Sequence, residues 1–136
     1  MDSIELTLTT GANKTVADIT AEVAAFCAQR GDGLVSVFVP HATAGVAILE
    51  TGAGSDDDLL TAIDQLLPAE RGRWRHEHGA PGHGRDHVVP AFISPSATLP
   101  VMDGRVLLGT WQSIVVVDTN VDNPVRKVRL SFIASD

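Results

Sequence analysis

The alternation of apolar and polar residues predicts a chain built mainly of β-strands. Residues 4–8 alternate with the two-residue period of a half-buried strand, and residues 125–133 repeat that pattern near the C-terminus. Between them, β-branched and apolar runs bounded by Pro, Gly and Asp predict the remaining strands. These lie at residues 34–39, 44–49, 97–101, 105–108 and 112–118. Six or seven strands joined by short turns indicate an antiparallel sheet.

Two longer segments have the spacing of amphipathic helices. In residues 18–30 the apolar positions recur every three or four residues, with Asp18 or Thr20 available as the N-cap. Residues 55–67 repeat this pattern, with Ser55 as the predicted N-cap and acidic residues in the first turn. A third, short helical segment is predicted at residues 87–93. Helices beside an antiparallel sheet predict an α+β fold.

The size and composition of the chain are those of one globular domain. Its 136 residues and 44% hydrophobic content favour a single domain over residues 1–136. Residues 34–39 and 113–117 are more continuously apolar than one buried face requires. We therefore expect a symmetric oligomer to cover an apolar patch of the sheet. The single cysteine, Cys27, cannot form an internal disulfide and is expected to be buried.

Charge and the absence of targeting signals narrow the function classes. Seventeen acidic against ten basic residues give a formal charge of −7, which disfavours nucleic acid as a partner. No apolar run approaches the roughly 20 residues that a membrane helix needs. The N-terminus lacks the basic and apolar regions of a signal peptide. The sequence therefore predicts a cytoplasmic protein that binds neither membrane nor nucleic acid.

The most chemically informative segment is a polar, Gly-rich stretch that holds four of the five histidines. His76, His78, His83 and His87 fall within residues 76–87, where almost nothing apolar is available to bury. Imidazole titrates near neutral pH and ligates metals such as Zn²⁺. Three readings remain open at this point: a metal site, a set of acid–base groups, or solvated loop histidines.

Further candidate residues lie at the ends of predicted strands. His41 follows Pro40 at a strand end, and pairing of the strands at 34–39 and 44–49 would bring Glu50 close enough to orient it. Alternatively, His41 is a hydrogen-bonded packing residue and Glu50 an exposed carboxylate. Gly109-Thr-Trp-Gln112 places an aromatic ring and two polar side chains at a strand start, where they can line a pocket or, for Trp111, pack in the core.

Taken in order along the chain, these motifs resemble the YjbQ family, also called the secondary thiamine-phosphate synthase family. The resemblance covers essentially the whole chain. It rests on His41-Ala-Thr-Ala-Gly-Val-Ala-Ile-Leu-Glu50, His76, Gly84-Arg-Asp-His87, Leu99-Pro-Val-Met-Asp-Gly104, Gly109-Thr-Trp-Gln112 and the basic final strand. Leu49 and Thr51 depart from it, because the family usually carries Asn at both positions.

The resemblance implies both an architecture and an activity. The implied fold is α+β, an antiparallel β sandwich with two or three flanking helices, assembled as a homotrimer with pockets near the subunit boundaries. The implied activity joins a pyrimidine diphosphate to a thiazole phosphate to make thiamine phosphate. The family's motif residues fall on His41, Thr43, Glu50, His76, His87, Thr110, Trp111, Gln112 and Arg126. His78 and His83 lie outside the motif and are expected to be peripheral.

Two hypotheses follow. In the favoured one, His41, His76 and His87 form a catalytic pocket, oriented by Glu50, with or without a divalent ion such as Zn²⁺ or Mg²⁺. A small phosphorylated substrate would be held by Thr43, Thr110, Trp111, Gln112 and Arg126. In the alternative, the protein is a non-catalytic trimer that binds a metal or a small ligand. In both, His41, His76 and His87 are the candidate metal ligands.

Overall fold

The computed structural model describes residues 1–136 as eight strands, three helices and one 3₁₀ turn. The strands are β1 (Asp2–Thr9), β2 (Thr15–Asp18), β3 (Gly33–Phe38), β4 (Ala44–Leu49), β5 (Ser96–Met102), β6 (Arg105–Val106), β7 (Ser113–Asp118) and β8 (Val125–Ala134). The helices are α1 (Thr20–Cys27), α2 (Ser55–Leu66) and α3 (His83–Asp86), and the 3₁₀ turn spans Val89–Ala91.

The strands form two antiparallel sheets that pack face to face. The larger sheet has the order β1-β8-β3-β5-β6, and the smaller has the order β2-β7-β4. Alternate residues of β3 and β8, such as Val35, Val37 and Leu130, point into the space between the sheets and meet Val46 and Val116 of the smaller sheet. This arrangement is an α+β fold built on an antiparallel β sandwich, which confirms the predicted fold class.

Helix α1 fills one side of the sandwich core. Val23, Phe26 and Cys27 are buried and pack with the inward residues of both sheets. The N-cap of this helix is Ile19, so the prediction of Asp18 or Thr20 was wrong, although Asp18 accepts hydrogen bonds from the backbone N–H and the hydroxyl of Thr20. Burial raises the pKa of the Cys27 thiol, which fits the expectation of a buried, unreactive side chain.

The outer face of the smaller sheet is covered by the chain itself. Val115 and Val117 of β7 point away from the main core and pack with Ile63 of α2 and Val89 of the 3₁₀ turn. The apolar run at residues 113–117 is therefore explained by burial on both faces within one chain. No oligomer is needed to cover this run, because sequence periodicity does not show which element covers a doubly buried strand, and oligomer formation stays a prediction.

Several element boundaries differ from those predicted. Strand β2 was missed because its four residues are too few for a periodic pattern to emerge. Helix α2 has Gly54, in the left-handed region at φ 106°, as its N-cap in place of Ser55. In place of the helix predicted at residues 87–93, the structure has only the 3₁₀ turn, with Pro90 at its start, where a missing N–H is tolerated, and α3 precedes this segment.

None of the helices combines the length and the apolar composition that crossing a membrane requires.

A histidine-rich candidate metal site

An open cleft of about 350 Å³ lies where three connections of the sandwich meet. The first is the 39–43 crossover, which carries the chain from β3 in the larger sheet to β4 in the smaller one. The second is the polar loop ending in α3, and the third is the turn between β7 and β8. The cleft is lined by His41, Ala42, Thr43, His76, His78, His83, His87, Asn120, Asn123 and Arg126.

A buried ionic network fixes α3 against the rest of the fold. The Arg85 side chain donates to Asp86, to Asp64 of α2 and to the Leu67 carbonyl oxygen, with N···O distances of 2.9 Å each. Asp86 also accepts a hydrogen bond from the Thr119 hydroxyl at the end of β7. Because Arg85 and Asp86 are almost fully buried, the histidines that flank them are held in fixed positions above the sheet.

Gly84 allows His76 to approach α3 closely. A Cβ atom at Gly84 would collide with the His76 carbonyl oxygen and would lie 2.6 Å from the Trp74 Cβ. Trp74 is itself tied to the end of α2, since its indole N–H donates to the Pro68 carbonyl oxygen at 2.8 Å. The contact at Gly84 therefore brings the first histidine of the loop against the other two.

Three histidines place ring nitrogens within metal-binding reach of one another. One nitrogen from each of His76, His83 and His87 lies within 4.8 Å of the other two. The Nε2 atoms of His83 and His87 are 3.1 Å apart. The ring centroids of His76 and His87 are separated by 4.3 Å. Burial, followed by the nearby rings of His76 and His83, lowers the pKa of His87.

Asp122 fixes the tautomer of His83. Its carboxylate accepts a hydrogen bond from His83 Nδ1 at 3.0 Å and another from the Ala80 N–H at 3.2 Å. These two bonds lower the pKa of Asp122. Because a carboxylate can only accept, a neutral His83 ring carries its proton on Nδ1, and its Nε2 can accept a hydrogen bond from His87 Nε2 or bind a metal. A carboxylate–histidine pair of this kind supports metal ligands in many proteins.

His41 lines the same cleft, but its ring offers a hydrogen-bond donor to the cleft and no free lone pair. Its Nε2 accepts the Lys127 backbone N–H at 2.8 Å, so the neutral ring carries its proton on Nδ1. Burial, and then the positive charge of Arg126, lowers the pKa of His41 and favours this neutral form. With Nε2 engaged by the backbone and Nδ1 protonated, the ring offers a hydrogen-bond donor. His41 does not belong to the group of converging nitrogens, so its prediction as a metal ligand was wrong. His83 is the third member of that group.

Arg126 is held inside the protein by an ion pair. Its Nε donates to the Asp118 carboxylate, and Nη1 and Nη2 donate to the Val125 and Asn120 carbonyl oxygens. Both charged side chains are 1% exposed. Asp118 also accepts from the Thr43 hydroxyl at 3.4 Å. Arg126 and Thr43 thus both bind a buried carboxylate at the base of the cleft, and their role as substrate ligands stays a prediction.

The remaining predicted site residues lie at the other end of the smaller sheet. Glu50 follows Leu49, which pairs with Ser113, whereas the cleft adjoins the Ala44–Asp118 pair at the opposite end. Five residue steps along a strand separate these ends by roughly 17 Å. The proposed approach of Glu50 to His41 was wrong, because β3 and β4 belong to different sheets and do not pair.

The Gly109–Gln112 segment lies at that same distant end. Thr110, Trp111 and Gln112 are exposed, and Trp111 is 74% exposed, which contradicts core packing of its ring. The Gln112 side chain accepts the Gly109 N–H at 2.7 Å and closes its own turn. Within one chain, none of these three residues lines the cleft that contains the histidines.

Sequence reasoning missed several contributors to the cleft. His83, expected to be peripheral, belongs to the converging group, and His78 lines the cleft with its ring centroid 4.2 Å from that of His83. Asn120 and Asn123 accept local backbone hydrogen bonds and also line the cleft, and Asp122 between them contacts His83. The available signal was the His83/His87 spacing of four residues, which puts both side chains on one face of a helical turn.

An antiparallel sandwich with a histidine-lined cleft at the junction of its sheets defines the structural class of this protein. The family model described as UPF0047 protein YjbQ-like matches residues 4–135, and the chain belongs to that family. It is 61% identical over 122 residues to a UPF0047 protein of Mycobacterium tuberculosis, covering 90% of this chain and 91% of the relative. It is 37% identical over 101 residues to the UPF0047 protein YugU of Bacillus subtilis, covering 71% and 74%.

A solved structure agrees with this assignment. The crystal structure of the protein APE1520 from Aeropyrum pernix superimposes with a TM-score of 0.87 at 31% sequence identity. The superposition covers 99% of this chain and 100% of that one. The fold described above is therefore shared by a relative over its full length.

Proposed function

We propose that this protein is a metal-dependent enzyme acting on a small molecule, with a Zn²⁺-class ion bound by His76, His83 and His87. The observation that carries the proposal is the 3.1 Å approach of the His83 and His87 Nε2 atoms, while Asp122 holds the His83 proton on the far nitrogen. Without a metal, a hydrogen bond from His87 Nε2–H to the His83 Nε2 lone pair accounts for this separation, and a cation bound by both rings would take the place of that proton.

The ligand type and spacing favour zinc over magnesium. Zn–N bonds of about 2.0–2.1 Å in a tetrahedral site separate paired nitrogens by roughly 3.3 Å. The His83–His87 separation is close to this value, and all three ligand nitrogens lie within 4.8 Å of one another, so the rings would have to move closer together to share one ion. Mg²⁺ prefers oxygen ligands in an octahedral arrangement. Three neutral imidazoles therefore suit Zn²⁺ far better.

Three protein ligands leave one position of a tetrahedral ion open toward the cleft. Catalytic zinc sites have this arrangement, and the ion there lowers the pKa of a bound water to near neutrality. His76, His83 and His87 hold the ion, Asp122 orients His83, and the Arg85–Asp86 network keeps α3 in place. A small-molecule substrate would reach this position from the open side of the cleft.

A second candidate function is thiamine-phosphate formation, the activity that the resemblance to the YjbQ family implies. Its support is the set of motif residues shared with the YjbQ family, of which His41, Thr43, His76, His87 and Arg126 line the cleft. The charges of the cleft argue for a low rate. A diphosphate leaving group needs cationic partners, and the guanidinium of Arg126 is already paired with Asp118.

We also propose that the functional unit is a homotrimer. Glu50, Thr110, Trp111 and Gln112 can contribute to a cleft only from a neighbouring subunit, because they lie at the far end of their own sheet. The exposed Trp111 ring, together with an apolar groove of about 370 Å³ beside exposed Leu66 and Phe92, provides surface for such a contact. Light scattering at micromolar concentration tests this, and a stable monomer would exclude it.

Metal content followed by turnover tests the proposed function. The purified protein is dialysed against Zn²⁺, and bound metal is measured per chain by mass spectrometry. The metal-loaded and chelated forms are then assayed on carboxylic esters, phosphate esters and paired thiamine precursors. We expect one zinc per chain and turnover that disappears on chelation. One tightly held zinc without turnover of any substrate would instead support the non-catalytic metal-binding alternative.

Asp122→Asn is expected to weaken zinc binding by about 10–100-fold, the usual effect of losing the carboxylate behind a histidine ligand. Asparagine retains an oxygen that can accept the Ala80 N–H but loses the charge that holds the His83 proton on Nδ1. Competition with a zinc chelator measures the change. The exposed Asp57→Asn on α2 serves as the charge-matched control, and equal affinities of the two variants would contradict the assigned role.

Gly84→Ala is expected to weaken zinc binding without removing any ligand. The added Cβ must push the His76 carbonyl away from α3, because Gly84 has backbone directly against it. We expect destabilisation of about 1–3 kcal/mol, typical of overpacking, together with a zinc affinity lowered at least tenfold. Urea denaturation and chelator competition measure both effects. Wild-type zinc affinity in a folded Gly84→Ala protein would show that the close approach does not position His76.

A further inference from the structure

The wall of the cleft lined by His41, Asn120 and Asn123 carries uncharged hydrogen-bond donors. We propose that this wall binds a carbonyl oxygen, so that the substrate of the metal site is a small carboxylic ester or amide, bonded through its carbonyl oxygen to His41 Nδ1 and Asn120 Nδ2. This inference rests on the proposed metal-dependent function and specifies its substrate class.

A backbone hydrogen bond from Lys127 leaves Nδ1 of His41 as the hydrogen-bond donor that faces the cleft. The Lys127 N–H occupies the Nε2 lone pair, so the only other ring nitrogen, Nδ1, carries the proton. No protein acceptor is bonded to Nδ1 in the structure, and the residue lines the cleft. The His41 ring therefore supplies a directed N–H that is neutral and has no partner within the chain.

Asn120 is held in a similarly fixed orientation. Its side-chain oxygen accepts the Asp122 N–H at 2.7 Å, and its own N–H donates to Asp118 at 2.8 Å. With Oδ1 engaged, the amide nitrogen Nδ2 is the remaining polar atom of the side chain, and it forms no bond to the protein. Asn123 repeats this arrangement, because its Oδ1 accepts the Val125 N–H at 3.2 Å. Two amide groups thus add neutral donors beside His41.

The charges at the cleft are already compensated. Arg126 is paired with Asp118, and Arg85, behind α3, is paired with Asp86 and Asp64. Phosphate recognition normally uses unpaired Arg or Lys side chains or a row of backbone N–H groups. Neutral, fixed donors are instead the groups that stabilise a carbonyl oxygen as it gains negative charge. The wall therefore matches an acyl group better than a phosphoryl group.

The reaction is a hydrolysis that consumes one water. The water oxygen forms a bond to the carbonyl carbon, and the C=O π electrons move onto the carbonyl oxygen, where His41 and Asn120 donate. When the tetrahedral adduct collapses, the bond to the leaving oxygen or nitrogen breaks. The leaving group takes up the proton that the water has lost, giving a carboxylic acid and an alcohol or amine.

Two substrates with the same leaving group test the inference. The zinc-loaded protein is assayed with p-nitrophenyl acetate and with p-nitrophenyl phosphate, each against a chelated sample as background. Asn120→Asp removes the amide donors but keeps the oxygen that accepts the Asp122 N–H. We expect this variant to lower kcat for the acetate ester by about 100-fold, as loss of one oxyanion donor does. Gln65→Glu, on the exposed face of α2, is the matched charge control.

If Asn120→Asp does not fold, a binding measurement on the wild-type protein tests whether the cleft prefers an acyl group to a phosphoryl group. The visible spectrum of the cobalt-loaded protein is titrated with acetate and with inorganic phosphate, and we expect acetate to shift it at the lower concentration. A response to phosphate alone, or turnover of the phosphate ester but not the acetate, overturns the inference and leaves the metal-dependent function intact. Zinc binding with neither ester hydrolysed also overturns it. Failure to bind zinc in the cleft removes both proposals.

Discussion

Replacing His83 by alanine is expected to lower the affinity of the protein for Zn²⁺ by two to three orders of magnitude. Structural zinc sites with four ligands bind with about 10–16 kcal/mol, so one ligand accounts for roughly 3–4 kcal/mol. His83 contributes an Nε2 lone pair that is already oriented by Asp122 and lies 3.1 Å from the His87 Nε2. Isothermal titration with Zn²⁺, or competition with a chelator, measures the loss.

His78→Ala is the control for this prediction. His78 lines the same cleft and has a ring close to those of His76 and His83, but it does not belong to the group of converging nitrogens. Its removal should change the zinc affinity less than tenfold. Equal losses for His78→Ala and His83→Ala would show that the loop binds zinc through any available histidine, and the assigned ligand set would then be wrong.

Arg126→Met is expected to destabilise the fold by about 3–5 kcal/mol, since it leaves the Asp118 carboxylate buried without its counter-charge. Asp118 and Arg126 are each 1% exposed, so water cannot take over the role of the missing partner. The methionine also leaves the Val125 and Asn120 carbonyl oxygens without the guanidinium donors. The free energy of unfolding from urea denaturation measures the effect.

The double variant Arg126→Met/Asp118→Asn separates the charge from the other contacts. Asparagine keeps an oxygen that can accept from the Thr43 hydroxyl and the Asn120 N–H but carries no charge. We expect it to recover about half of the stability lost in Arg126→Met. A single variant that costs less than about 1 kcal/mol would indicate an ion pair with access to solvent, and would contradict the structural role given to Arg126.

Most of the fold could be predicted from the sequence, because hydrophobic periodicity indicates local secondary structure and burial. The alternation of Val128, Leu130 and Phe132 placed β8 correctly, and each of these residues is buried in the sandwich core. Periodicity is silent on which strands pair, and this explains the error at Glu50. Two runs separated by a few residues suggested a hairpin, whereas the 39–43 connection crosses between sheets.

The sequence predicted that the site would consist of histidines, but it did not predict which histidines converge. The histidine-rich loop was identified as the place for chemistry, and His41, His76 and His87 do line one cleft. The role of His83 depends on Asp122, which lies 39 residues later in a turn that contacts the loop only in the folded chain. The state of His41 depends on the Lys127 backbone N–H, 86 residues away. Long-range hydrogen bonds of this kind have no local sequence signature.

The central claim, a zinc ion held by His76, His83 and His87, is tested most directly by the crystal structure of the zinc-loaded protein with anomalous data collected at the zinc edge. The account predicts one anomalous peak per chain in the cleft, with three imidazole nitrogens at about 2.0–2.1 Å and one position open to solvent. Asp122 should remain hydrogen-bonded to His83 Nδ1. A zinc peak coordinated by His41 in place of His83, or zinc found only outside the cleft, would contradict it.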